Sequence, residues 1–128
     1  MKRALVLFAL GFGLLPLNGC GSDDDSSSTS NPVTACKEFW AATCAKFFGC
    51  FSKDELAPFA DYVGNNEADC KTKFYASECS SEKVKCDSGE SYDPSAAKEC
   101  INQFKAFSCD QFSSDTTASP AACDQLCK

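Results

Sequence analysis

Two stretches decide how this chain folds: DCKTKFYASEC at residues 69–79 and ECINQFKAFSC at residues 99–109. Both read acid-Cys-x3-Phe-x-Ala-x2-Cys, and a shortened form, Cys36-x3-Trp40-x3-Cys44, precedes them. A cysteine and an aromatic ring four residues apart share one face of a helix, so each segment presents a sulfur beside a ring. Nine residues of straight helix rise about 13 Å, whereas a disulfide needs alpha carbons within about 7 Å. Cys70 therefore cannot reach Cys79 along one helix, nor Cys100 reach Cys109. Each helix must be tied to another element. The expectation is an all-α fold, a small disulfide-rich bundle of about four short helices.

Capping signals mark the helices outward from these stretches. Asn31 followed by Pro32 opens a first helix, because proline at the first helical position forfeits no hydrogen bond. Cys36, Phe39, Trp40, Cys44, Phe47 and Phe48 then follow helical spacing, and Gly49 is the expected stop. Ser52 and Glu55 form a capping box, with Phe51 and Leu56 placed as a hydrophobic staple. Leu56, Phe59, Ala60 and Val63 continue that second helix until Gly64. Asn66 caps a third, expected to run to about Glu78. Asp93-Pro94 opens a fourth, with Ala97, Cys100, Ile101, Phe104 and Phe107 inward. Ser119-Pro120 starts a last short turn through Leu126. No stretch alternates with period two.

Eleven cysteines in 128 residues is the density of a disulfide scaffold, provided the chain is exported. The amino terminus supplies that condition. Met1-Lys2-Arg3 precedes a fourteen-residue apolar run, ALVLFALGFGLLPL at residues 4–17. A membrane span needs about 20 residues, so the run reads as a secretory signal. From Gly21 to Ser30 the chain holds only Gly, Ser, Asp and Thr, the composition of a flexible tether. The expected organisation is a signal peptide at 1–19, a linker at 20–31 and a disulfide-rich helical domain at 32–128.

Setting Cys20 apart leaves ten cysteines: Cys36, Cys44, Cys50, Cys70, Cys79, Cys86, Cys100, Cys109, Cys123 and Cys127. Ten is even, as full oxidation requires, and sequence leaves the connectivity open. With alternating up and down helices, Cys36 is expected near Cys70 or Cys109, and Cys50 near Cys79 or Cys100. Zinc, thioredoxin-like redox and c-type haem sites all call for Cys-x2-Cys, and the chain has none. Its closest pair is Cys123-x3-Cys127, and histidine is absent altogether. No metal or other cofactor is expected.

What the chain lacks also bounds its activity. Without the signal it carries ten lysines against eighteen acids, no arginine and no histidine. A net charge near −8 disfavours nucleic acid. A serine nucleophile would lack its histidine partner, and no arginine fork can clamp phosphate. The acid pairs Asp54/Glu55 and Glu67/Asp69 lie at helix starts, where they complement the dipole. The sequence therefore does not read as an enzyme. Phe39, Trp40, Phe47, Phe48, Phe59, Phe74, Phe104 and Phe107 are expected mostly in the core. An apolar ligand between helices, or an aromatic patch docking a partner, stays open.

Leu17-Asn18-Gly19-Cys20 resembles the lipobox of bacterial lipoproteins. The resemblance implies cleavage before Cys20, acylation of its sulfur and new amino group, and stable anchoring by more than one chain. Gly21 after the cysteine implies the outer membrane. Residues 36 to 123 resemble the small cysteine-rich lipoproteins of myxobacteria and their relatives, on Cys36-x7-Cys44-x5-Cys50, then Cys70-x8-Cys79, Cys100-x8-Cys109 and Cys123. That pattern leaves Cys86 and Cys127 for an additional bridge to each other. The reading is a lipid-anchored envelope protein whose helical domain is a binding or structural module. Its partners are the membrane, through the anchor, and an envelope protein or apolar ligand. Apolar-ligand (lipid) binding is one alternative; a protease-inhibitor-like module, using the loop at residues 80–93, is the other.

Overall fold

Asn31 shows how closely local chemistry sets the helices. Its side-chain oxygen accepts from the Val33 and Thr34 amides at 2.8 and 3.4 Å, and Pro32 follows at the first helical position. In the computed structural model, which describes residues 29–114 and 118–128, this cap opens helix α1, Pro32–Cys50. The signal at 1–19, Cys20 and the linker as far as residue 28 lie outside the described residues. Helix α1 runs through Gly49, because that glycine does not take a positive φ. The stop comes one residue later: Phe51 is extended, and Ser52 starts a competing helix.

Ser52 and Glu55 form the reciprocal capping box, opening α2, Lys53–Leu56. A 3-10 turn, Ala57–Phe59, and α3, Ala60–Val63, continue the segment. Gly64 ends it at φ +82°, a conformation that favours glycine. A Cβ there would stand 2.6 Å from the Asp69 Cβ, so the close approach of α4 also demands glycine. Asn66 caps α4, Glu67–Glu78, and Asp93 caps α5, Pro94–Lys105. Helix α5 ends before Phe107, and Ser108 with Gln111 builds a further capping box at α6, Cys109–Phe112. The Ser-x-x-Gln signal for α6 is present in the sequence, inside a stretch expected to continue α5. The chain closes with a 3-10 turn, Ala121–Gln125.

Helix α1 is the central element, packed by α4 on one side and α5 on the other. Cys36–Cys79, Trp40–Phe74 and Cys44–Cys70 place α4 antiparallel to it. Ala35 against Ala97 and Ile101, then Phe39 against Phe104, place α5 parallel. Farther along, the Lys46 ammonium donates to the Phe107 carbonyl and Cys50 joins Cys109. The helices thus alternate in direction, as expected, but the expected cysteine matching was crossed. In an antiparallel pair the start of one helix lies level with the end of the other, so Cys36 meets Cys79 and not Cys70. Helix α5 runs parallel to α1, so Cys50 meets Cys109 and not Cys100.

Five bridges staple the described residues: Cys36–Cys79, Cys44–Cys70, Cys50–Cys109, Cys86–Cys127 and Cys100–Cys123. Their Cα–Cα distances, 4.8 to 5.8 Å, lie in the range disulfides require. None joins two cysteines of one helix. The tail returns to the loop before α5, where Tyr92 and Cys127 form an isolated antiparallel bridge. The Ser91 and Lys128 backbones exchange hydrogen bonds of 2.7 and 3.1 Å there.

Candidate functional site

The side of α1 facing α5 is not filled to the end. Ala35 on α1 and Ala97 and Ile101 on α5 form a small buried cluster, with Phe39, Tyr92 and Leu126 packed around it. The two alanines carry too little volume to close the space between their helices. Beside them lies an open cavity of about 320 Å³. Pro32, Ala35 and Phe39 supply its α1 wall, and Ala97, Cys100 and Ile101 its α5 wall. Leu126 and Cys127 close it from the tail, and Tyr92 with Lys83, Val84 and Lys85 from the loop before α5.

Three of the five bridges ring this cavity. Cys36, Cys100 and Cys127 line it, and each is tied to a different segment: to Cys79 at the end of α4, to Cys123 in the tail, and to Cys86 in the loop. The walls are therefore covalently cross-linked, which lowers the ordering cost of binding. The loop at residues 80–93 is itself folded. Lys83 and Val84 donate backbone hydrogen bonds to Ser80, and Glu90 to Asp87. Half-buried Val84 faces the cavity, so this loop serves as a wall.

The charged residues that line the cavity are two lysines, Lys83 and Lys85, with carboxylates standing behind the lining. Lys83 stands 3.8 Å from Glu78, at the outer limit of an ion pair, and both side chains are substantially exposed. Lys85 has no ion pair among the described residues. The Tyr92 hydroxyl donates to the Thr29 carbonyl at 2.8 Å. Burial, followed by the Asp93 and Glu38 charges, pushes the Tyr92 phenol above its ordinary value and keeps it a donor. Thr29, where the described chain begins, is buried against this wall. The segment arriving from Cys20 thus joins the domain beside the cavity.

A second apolar recess lies at the other end of α1, whose 19 residues span about 28 Å. Phe47, Phe51, Leu56, Phe59 and Tyr62 border a space of about 480 Å³. Phe59 was expected in the core but is 58% exposed, beside Tyr62 at 64%. The helical phase assumed for Phe59 is interrupted at that residue, where φ is −109° between the 3-10 turn and α3. Trp40, Phe47, Phe48 and Phe74 do pack around the buried Cys44–Cys70 bridge, as their spacing predicts.

The ten cysteines are all paired, so none offers a thiol or a thiolate ligand among the described residues. No group of three or more His, Cys, Asp or Glu side chains there could hold a metal ion. Cys20 lies outside the described residues. No described helix is long and apolar enough to cross a membrane. Sequence reasoning left open a ligand site between helices without placing it. Its walls come from four separate segments, and no local signal in the sequence brings them together. Set against protein-family models, curated proteins and solved structures, the chain matches none of them.

Proposed function

We propose that this is a lipid-anchored protein of the bacterial cell envelope, held at the outer membrane through Cys20, whose helical domain is a binding module and not an enzyme. The observation that carries the binding reading is the apolar cavity ringed by three disulfides. A domain that needed its core only for stability would gain by filling that space, since interiors pack to crystal-like density. The lipobox-like Leu17-Asn18-Gly19-Cys20 supports the anchor, and disulfide density supports an oxidising compartment. Eight residues separate Cys20 from Thr29, and a chain of that length reaches about 30 Å at most. Anchored so, Thr29 and the cavity wall it packs against lie within about 30 Å of the attachment point.

Two measurements test this reading. Intact-mass analysis of the mature protein should show an acylated Cys20 as first residue and ten hydrogens fewer than the fully reduced chain. An unacylated amino terminus or free thiols would overturn the anchored scaffold. A soluble Cys20→Ser form, passed over solubilised envelope and recovered for native mass spectrometry, should carry a bound lipid or partner. Recovery of the bare domain every time, under oxidising conditions, would overturn the binding module.

A further inference from the structure

We infer that the cavity between α1 and α5 binds one single-chain amphiphile with an anionic head, its chain running in between Phe39 and Ile101 and its head held by Lys83 and Lys85. The inference rests on the domain being a binding module, but not on the lipid anchor. Size selects one chain. A methylene takes up about as much space as a water, roughly 30 Å³, so a cavity of about 320 Å³ holds about ten. That is the low end for ligand pockets, roughly 300 Å³, and matches the buried part of one chain. Charge selects the head. The whole chain has net charge −6, yet the charged groups lining this cavity are both lysines. Of the two ammonium groups, Lys85 has no carboxylate partner among the described residues, and Lys83 is only loosely held by Glu78, so both can turn to an anionic head.

The geometry keeps these roles separate. Ala35, Ala97 and Ile101 are buried at the cavity floor and offer no polar side chain to a ligand. Lys83 and Lys85 stand on the loop wall and are exposed, so a carboxylate beside them stays partly hydrated while the chain is dry. Cys86, which follows Lys85 directly, is bridged to Cys127. The lysines are therefore presented from a cross-linked position and not from a free loop. Charge-assisted contacts of this kind are stronger than neutral ones, which makes the head preference measurable.

The test is calorimetric titration of the oxidised Cys20→Ser protein with decanoate, decanol and decyltrimethylammonium, each below its micelle-forming concentration. Decanoate is expected to bind one to one, and the cationic analogue at least tenfold more weakly. The surface double variant Lys83→Glu/Lys85→Glu should lose tenfold or more in decanoate affinity and no longer prefer the anion. Val84→Trp, which fills the cavity from its loop wall, should weaken all three ligands together. Circular dichroism and thiol titration confirm that both variants remain folded and oxidised. Equal affinity for the three heads overturns the assignment of the lysines. Saturable binding that Val84→Trp leaves unchanged overturns the site. If decanoate does not bind while the envelope recovery still yields a ligand, the amphiphile is wrong and the binding module stands. If both fail, the module fails with it.

Discussion

The two sides of α1 are built to different densities. Toward α4, the Cys44–Cys70 bridge has no exposed surface, and Trp40 stacks on Phe74 with centroids 3.9 Å apart and planes within 4°. Toward α5, facing alanines leave a cavity lined by one cysteine from each of three bridges. The α4 side combines stacked rings with two direct bridges to α1, Cys36–Cys79 and Cys44–Cys70. On the α5 side, among the described residues, no bridge joins α1 to α5 directly, and the walls of the space are tied instead to the loop, the tail and the end of α4. The difference separates scaffold from site within fewer than one hundred residues.

Removing bridges one at a time is the strongest way to break that comparison. The Cys44–Cys70 loop spans 26 residues and the Cys86–Cys127 loop 41. Loop entropy alone makes them nearly equal, about 3.5 and 3.9 kcal/mol, with the longer loop ahead. Burial reverses that order, because alanines in place of Cys44 and Cys70 also empty a fully buried volume. Cys44→Ala/Cys70→Ala is expected to lose about 5 kcal/mol, and Cys86→Ala/Cys127→Ala about 3 kcal/mol, in guanidinium unfolding. The second variant should lose ligand binding while it stays folded. If the longer loop costs more, packing around Cys44 does not matter as the structure implies.

Side-chain truncation tests the same contrast with the covalent frame intact. Phe74→Ala removes a ring that is 2% exposed and stacked on Trp40, and should destabilise by about 4 kcal/mol. Ile101→Ala, beside space that already exists, should cost about 2 kcal/mol, the low end for such a change. Trp40, the single tryptophan, reports the denser side by its fluorescence. It should shift strongly in Phe74→Ala and little in Ile101→Ala. Equal shifts would mean that the two sides are mechanically one.

How much of this was legible beforehand follows from the range of each interaction. Asn31, Ser52, Asn66 and Asp93 could be read as helix starts because a cap bonds within three residues of itself. The rule that Cys70 and Cys79 cannot pair could be read from helical rise alone. Which helix end meets which could not, since that depends on α1 lying between an antiparallel and a parallel neighbour. The cavity is further still from local reading. Ala35 and Ala97 are 62 positions apart, and nothing in either neighbourhood says that they face each other. Even α6 carried its own signal, Ser108 and Gln111, obscured by the repeat that made residues 99–109 look like one helix.

The smallest effect, and the one with a definite sign, belongs to Asp93 at the seam between the tail and α5. The Lys128 ammonium at 2.7 Å holds its carboxylate well below the usual range, helped by the Ser95 hydroxyl and the Ala96 amide. An acid depressed in the folded state binds its proton more readily when unfolded. Its stabilisation is therefore full above the unfolded value, about 3.9, and fades as pH falls below that towards the folded value. Asp93→Asn preserves the cap, because asparagine accepts from the same amides, but abolishes the charge. The variant should melt slightly below the wild type at pH 7. The gap should narrow steadily below about pH 4. Because the site is exposed, added salt should narrow it at neutral pH as well. A gap that is unchanged by either acid or salt would assign Asp93 to capping alone, and would leave the tail held there by the Ser91–Lys128 backbone hydrogen bonds without the Lys128 ammonium.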